Sequence, residues 1–203
     1  MRQPTPVSVR LEQAPVLAAA LGVFERMGYA RARVEDILEA AGIARRTFYK
    51  RFKSKEDVLV ALYTAATGDI LAALGELPTD ERDPLASIHQ AVDVYLAYHE
   101  HNAGTLRVLI GESMRPDSPL YEMRKGFRGA LVRILADVAR RRNKDFSPFV
   151  FVALVSALEG LSLELLEASS VRGARSKDLE AVRQTTHALL AKVFDVKGPA
   201  FPR

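Results

Sequence analysis

Apolar residues recur along this chain at spacings of three and four, and no stretch alternates as a strand would. That pattern predicts an all-α protein. Pro15 suits a first helical turn, where its missing N–H costs nothing. Val16, Ala20, Val23, Phe24 and Met27 share one face of the helix it opens, and Gly28 ends it. A short helix is expected over Val34–Ala41, with Val34, Ile37 and Ala41 on one side. Gly42 supplies a tight turn, because glycine adopts the left-handed backbone conformation without strain. The next helix is expected over Ala44–Phe52, where Phe48 and Phe52, with Ile43 before them, can meet the face of its predecessor. Ser54 is placed to N-cap a fourth helix, with Glu56 and Asp57 in its first turn and an end near Leu74. Breakers crowd Gly75–Pro84, and further helices are expected at Leu85–His101, Ala103–Glu112, Leu120–Arg142, Ser147–Ser170 and Ser176–Asp195. The division that follows is a loose arm over 1–11, a three-helix head over 12–55 and a larger helical body over 56–203.

Charge changes the picture at one end. The 203 residues hold 29 Lys+Arg against 25 Asp+Glu, a formal +4. Residues 1–60 carry eleven basic and seven acidic side chains, which leaves 18 of each beyond them. Between Arg31 and Lys55 eight cations face three anions, Glu35, Asp36 and Glu39. Positive charge gathered on a helix pair is the electrostatic footprint of a polyanion partner. A short helix set across another also has the shape that enters a DNA major groove. Arg45, Arg46, Thr47, Tyr49, Lys50 and Arg51 fall outside the apolar contact of the two helices. Arginine reads guanine O6 and N7, while threonine and tyrosine reach a thymine methyl or a phosphate. Lys55, near a helix start, is suited to a phosphate. The plainer alternative is a solvated basic face.

The stretch GYARARVEDILEAAGIARRTFYKRFKSKEDVLVAL resembles the DNA-binding head of TetR-family transcriptional regulators. Gly28-Tyr29, Val34, Ile37, Ala41-Gly42-Ile43, Thr47-Phe48-Tyr49, Phe52 and Lys55-Glu56 stand where that family's pattern has them, and the resemblance covers about residues 14–62. It implies an N-terminal helix-turn-helix head, a C-terminal helical domain for ligand binding and dimerisation, and a homodimer on DNA. The chain departs from the pattern in three places. Arg33 replaces a usual Thr or Ser, removing a cap but supplying a cation for a phosphate. Ala44 replaces a Ser, and Arg46 stands where a small residue is common.

The body carries no comparable fingerprint. Leu154, Leu158, Leu161 and Leu165 form one stripe, and Leu179, Val182, Leu189, Val193 and Phe194 another. Two such pairs would make a four-helix seam across a two-fold axis; alternatively, they close the core of one subunit. Candidates for contact with a small-molecule effector are Tyr95, Tyr98, His99, Met114, Met123, Phe127, Phe151 and Glu159. The carboxylate of Glu159 either pairs with an arginine of the body, meets an effector, or faces solvent.

Several classes are excluded or disfavoured. There is no cysteine, hence no disulfide, thiolate metal site or thiol nucleophile. His89, His99 and His101 lack metal-ligand spacing, and no metal or other cofactor is expected. No phosphate loop, nucleophile elbow or HExxH motif points to an enzyme. The first ten residues lack a signal-peptide core, and the apolar run near Phe149–Leu158, interrupted by Glu159, is too short for a bilayer span, so a cytoplasmic protein without membrane contact is expected. The reading is a homodimeric, ligand-responsive DNA-binding regulator, a repressor on a palindromic operator. The alternatives are a helical small-molecule binding protein or enzyme whose basic head holds another anion, and an architectural DNA binder with a filled body.

Overall fold

The computed structural model describes residues 15–77, 83–172 and 176–195. The arm expected over 1–11 lies outside them. Among the described residues the secondary structure is helical throughout: α1 (Pro15–Met27), α2 (Val34–Ala41), α3 (Arg45–Tyr49), α4 (Lys55–Gly75), α5 (Pro84–His101), α6 (Ala103–Ser113), α7 (Leu120–Arg141), α8 (Pro148–Arg172) and α9 (Ser176–Asp195). Most helix limits fall within a residue or two of those the apolar pattern predicts. The exception is α3. It ends at Tyr49, and the N–H groups of Arg51 and Phe52 both return to the Phe48 carbonyl, at 2.9 and 3.0 Å. Its last turn is thus tightened rather than extended to Phe52.

The chain packs as two units. The first runs through Leu71 and takes in His101–Arg124; the second comprises Ala72–Glu100 and the chain from Lys125 onward. In the first, α1 packs on α2 and on α6. Val23, Ile37, Phe48, Val58, Leu59 and Leu62 have no exposed surface, and Phe24 has almost none. Burying each such side chain contributes roughly 1.5–3 kcal/mol, so the short α2 and α3 are held by this core rather than by their own propensity.

Local chemistry fixes the angle between α2 and α3. Gly42 sits at φ 62°. Its N–H bonds to the Glu39 carbonyl and the next N–H, of Ile43, to the Leu38 carbonyl, both at 3.2 Å. This pair of bonds satisfies the last carbonyls of α2 and turns the chain sharply. Arg33 makes no side-chain cap, but its own N–H donates to the Asp36 carboxylate at 2.7 Å, so half of the lost capping box is recovered. Ala44 has no side-chain cap to offer α3. Ser54 does cap α4: its hydroxyl accepts the Asp57 N–H at 3.2 Å, while the Asp57 carboxylate accepts the Lys53 N–H at 2.8 Å.

In the second unit α8 packs against α9. Phe146 meets Phe151 and Phe194 edge-on, with ring centroids 6.1 and 5.9 Å apart. The apolar run of α8 is longer than the sequence reading allowed. Glu159 does not end it, and the 20 residues Pro148–Glu167, like α4, are long and apolar enough to cross a bilayer by length and composition. Only 22% of that stretch of α8 is buried. Phe149 is 80% exposed, and Val152, Ala153, Ser156 and Gly160 also face outward. The leucines expected to form a seam are not this outward stripe: Leu154, Leu158, Leu161 and Leu165 are half-buried.

Candidate nucleic-acid interface and effector cavity

α3 is anchored by one residue. Phe48 is fully buried, its ring 5.3 Å from Tyr49 and 5.7 Å from Phe52. Arg45, Arg46, Thr47, Tyr49, Lys50 and Arg51 are all exposed, as is Arg33 at the start of α2. The surface left free by the Phe48 anchor therefore carries five cationic or hydroxyl side chains besides Tyr49. Tyr49 shows 47% of its surface, an unusual degree for an aromatic residue. Arg45 is held in place: its guanidinium donates to Glu35 of α2 at 2.5 Å and lies 5.9 Å from the Tyr49 ring centroid. Both members of that ion pair are more than half exposed, so the pair orients Arg45 more than it stabilises the fold.

Lys55 stands apart from the other candidates. Its ammonium donates to the carbonyls of Tyr29 and Ala32 at 2.9 Å, and of Ala30 at 3.4 Å. It also lies 4.4 Å from the Tyr29 ring centroid. The cation expected at a phosphate is thus engaged in closing the turn between α1 and α2. Tyr29 is fixed from its other end, where its hydroxyl donates to Glu56 at 3.1 Å. Burial, and then the Glu56 carboxylate beside it, push the Tyr29 phenol well above its ordinary range.

The second unit contains an apolar cavity with walls from α5, α7, α8 and α9 and from Leu74 at the end of α4. Leu131, Leu154, Leu158, Leu161, Leu189 and Leu190 supply much of the wall. Three residues of the predicted seam on α8, and Leu189 of α9, therefore face this space. Of the eight effector candidates, Tyr95 lines it. Tyr98 and Phe151 are buried in packing, and Met123 and Phe127 are half-buried away from the lining. Met114 is 40% exposed and belongs to the first unit. His99 is buried beneath Tyr95, its Nδ1–H donating to the Tyr95 carbonyl at 2.9 Å, and burial pulls it down to about 4. Glu159 is taken by Arg128, which also donates to Ser156 at 2.7 Å. Sequence reasoning missed the aliphatic wall because leucine carries no chemical signature; the regular stripe on α8 was its only trace.

His89 stacks on His187 at 4.4 Å, and His187 lies 3.1 Å from Asp93. Burial and the neighbouring His187 hold His89 below its ordinary range. Among the described residues no group of three His, Cys, Asp or Glu is placed to hold a metal ion.

Residues 16–62 match the profile described as "Bacterial regulatory proteins, tetR family". The chain is 26% identical over 196 residues to the HTH-type transcriptional regulator EthR of Mycolicibacterium smegmatis, covering 90% of this chain and 86% of EthR. It is 29% identical over 149 residues to the HTH-type transcriptional regulator TcmR of Streptomyces glaucescens, covering 73% of this chain and 61% of that longer protein. Among solved structures, the SmeT–triclosan complex superposes with a TM-score of 0.71 at 20% identity, covering 94% of this chain and 97% of the SmeT chain, which shows the shared fold. The head over residues 16–62 thus matches that of the tetR family of bacterial regulatory proteins, the chain is similar along most of its length to the regulator EthR, and its helical fold is shared with SmeT.

Proposed function

We propose that this regulator acts as a homodimeric repressor that sets α3 of each subunit in the major groove of a palindromic operator and is released by a small molecule. The observation that carries the reading is the exposed cationic surface of α3 over its buried Phe48 anchor. Arg45, Arg46, Thr47 and Tyr49 are the base-reading candidates; Arg33, Lys50 and Arg51 are assigned to phosphates. A palindrome calls for a two-fold partner. The exposed, small and apolar stripe of α8 (Phe149, Val152, Ala153, Ser156, Gly160), with Ala181, Thr185 and Ala188 of α9, suits a second copy of this chain. Small residues let the paired helices approach closely, and the apolar surface supplies the driving force.

The cavity is the effector site in this reading. The SmeT structure holds triclosan, a small molecule, on the same fold. An effector that prefers the DNA-incompetent arrangement of the dimer shifts the population away from the operator. DNA and effector are both met in the cytoplasm, and no chemical step is assigned to the protein. Selection of duplexes from a random pool by the full chain tests the proposal. An inverted repeat, bound with affinity that falls steeply with salt, is expected. Enrichment of no sequence, or of a single half-site, contradicts it.

A further inference from the structure

We propose that the cavity of the second unit takes an uncharged hydrocarbon chain and discriminates against the same chain carrying a charge. This rests on reading the cavity as the effector site and adds the chemical class of what fills it. None of the sixteen lining residues is charged, and fourteen are aliphatic. The two others leave the lining almost wholly apolar. The Thr186 hydroxyl donates to the Val182 carbonyl at 2.8 Å, and the Tyr95 ring lies against the His99 imidazole with centroids 4.1 Å apart.

Two of the charged neighbours of the lining residues are turned to other groups. Glu159, next to Leu158, is held by Arg128; His187, next to Thr186, lies 3.1 Å from Asp93. A carboxylate or ammonium drawn into this space would lose its hydration and meet no charged partner among the described lining residues. The interior room is about 60 Å³. A water needs roughly 10–15 Å³ of such room and two to four polar partners. The space is large enough for several waters, but its walls offer them almost nothing to bond. A slender aliphatic chain asks for none of these bonds. Ile134 and Leu189, 38% and 42% exposed, mark where it enters.

Calorimetric titration of the full chain at pH 7 with 1-octanol, octanoate and octylammonium tests the proposal. 1-Octanol is expected to bind once per chain, about tenfold or more tighter than either ion. Ala157→Leu and Ala91→Leu each fill the cavity; whichever keeps the wild-type circular dichroism and melting behaviour is expected to weaken 1-octanol binding at least about tenfold by occupying its space. Octanoate or octylammonium binding as tightly as 1-octanol, no binding of 1-octanol, or full 1-octanol binding in a folded filled variant overturns it. Operator affinity measured with 1-octanol present separates the two readings. Bound 1-octanol that leaves DNA affinity unchanged supports the ligand class and defeats the effector role. Failure to bind 1-octanol by a chain that still selects an operator defeats the ligand class alone.

Discussion

Replacing Lys55 by Met separates a cation that holds the fold from one that holds DNA. Methionine keeps most of the apolar stem and removes the ammonium. The loss is two part-buried charged hydrogen bonds of 2.9 Å, to the carbonyls of Tyr29 and Ala32, a weaker exposed one of 3.4 Å to Ala30, and the contact with the Tyr29 ring. Taking about 1.5 kcal/mol for each of the two good bonds and about 0.5 kcal/mol for the ring contact gives a destabilisation of about 3.5 kcal/mol. For a chain of this size that lowers Tm by roughly 7–14 °C. The remaining stability still keeps the variant folded in the cold. Urea unfolding gives the first number. Operator binding across a salt series, at a temperature where both proteins are folded, gives the second. Each phosphate contact contributes about 0.9 to the slope of log affinity against log salt, and the slope is expected to be unchanged. A variant with wild-type Tm and a slope reduced by about one would refute the reasoning and make Lys55 a phosphate contact.

Three further outcomes are expected. Ala44→Ser restores a hydroxyl to the start of α3, which has no side-chain cap; a gain of about 1 kcal/mol, read from the urea midpoint, is expected, and no change would mean that the start of α3 cannot use a cap. His99 is neutral in the folded protein, pulled down to about 4 by burial, whereas the unfolded chain protonates it near the ordinary 6.5. The unfolded state therefore takes up the proton first, and stability falls as pH drops from 6.5 towards 4. Between pH 7.5 and 5 this contributes a loss of about 2 kcal/mol that His99→Gln should lack, and identical acid profiles for the two proteins would contradict it. Val152→Asp puts a charge on the exposed stripe of α8; sedimentation should find a folded monomer that binds a half-site at best, and an intact dimer would move the interface elsewhere.

The head was legible because its chemistry is local. Glycine at a left-handed turn, serine at a helix start and phenylalanine at one-turn spacing each leave a mark within a few residues, and Gly42, Ser54 and Phe48 occupy those roles. The role of Lys55 was not legible in the same way. Its partners lie 23 to 26 residues away, and a lysine beside a basic run reads as one more surface cation. The body hid its cavity for a related reason. Aromatic and polar residues draw attention as ligand contacts, yet Tyr98, His99 and Glu159 are spent on burial, a backbone carbonyl and an arginine. The aliphatic stripe on α8 has the same spacing whether it lines a seam or a cavity; which side is enclosed depends on α5, α7 and α9 packed around it. The stacking of His89 on His187 joins helices almost a hundred residues apart and leaves no trace in either local pattern.

The proposed regulation requires α3 to present Arg45 and Tyr49 to a duplex. Fluorescence anisotropy of the selected operator, with the wild-type chain and with Arg45→Ala/Tyr49→Ala, measures this directly. Both side chains are largely exposed, so the double variant should keep its melting temperature while its operator affinity drops at least about tenfold and its preference over scrambled DNA shrinks. Wild-type affinity and preference in the folded double variant would contradict the claim.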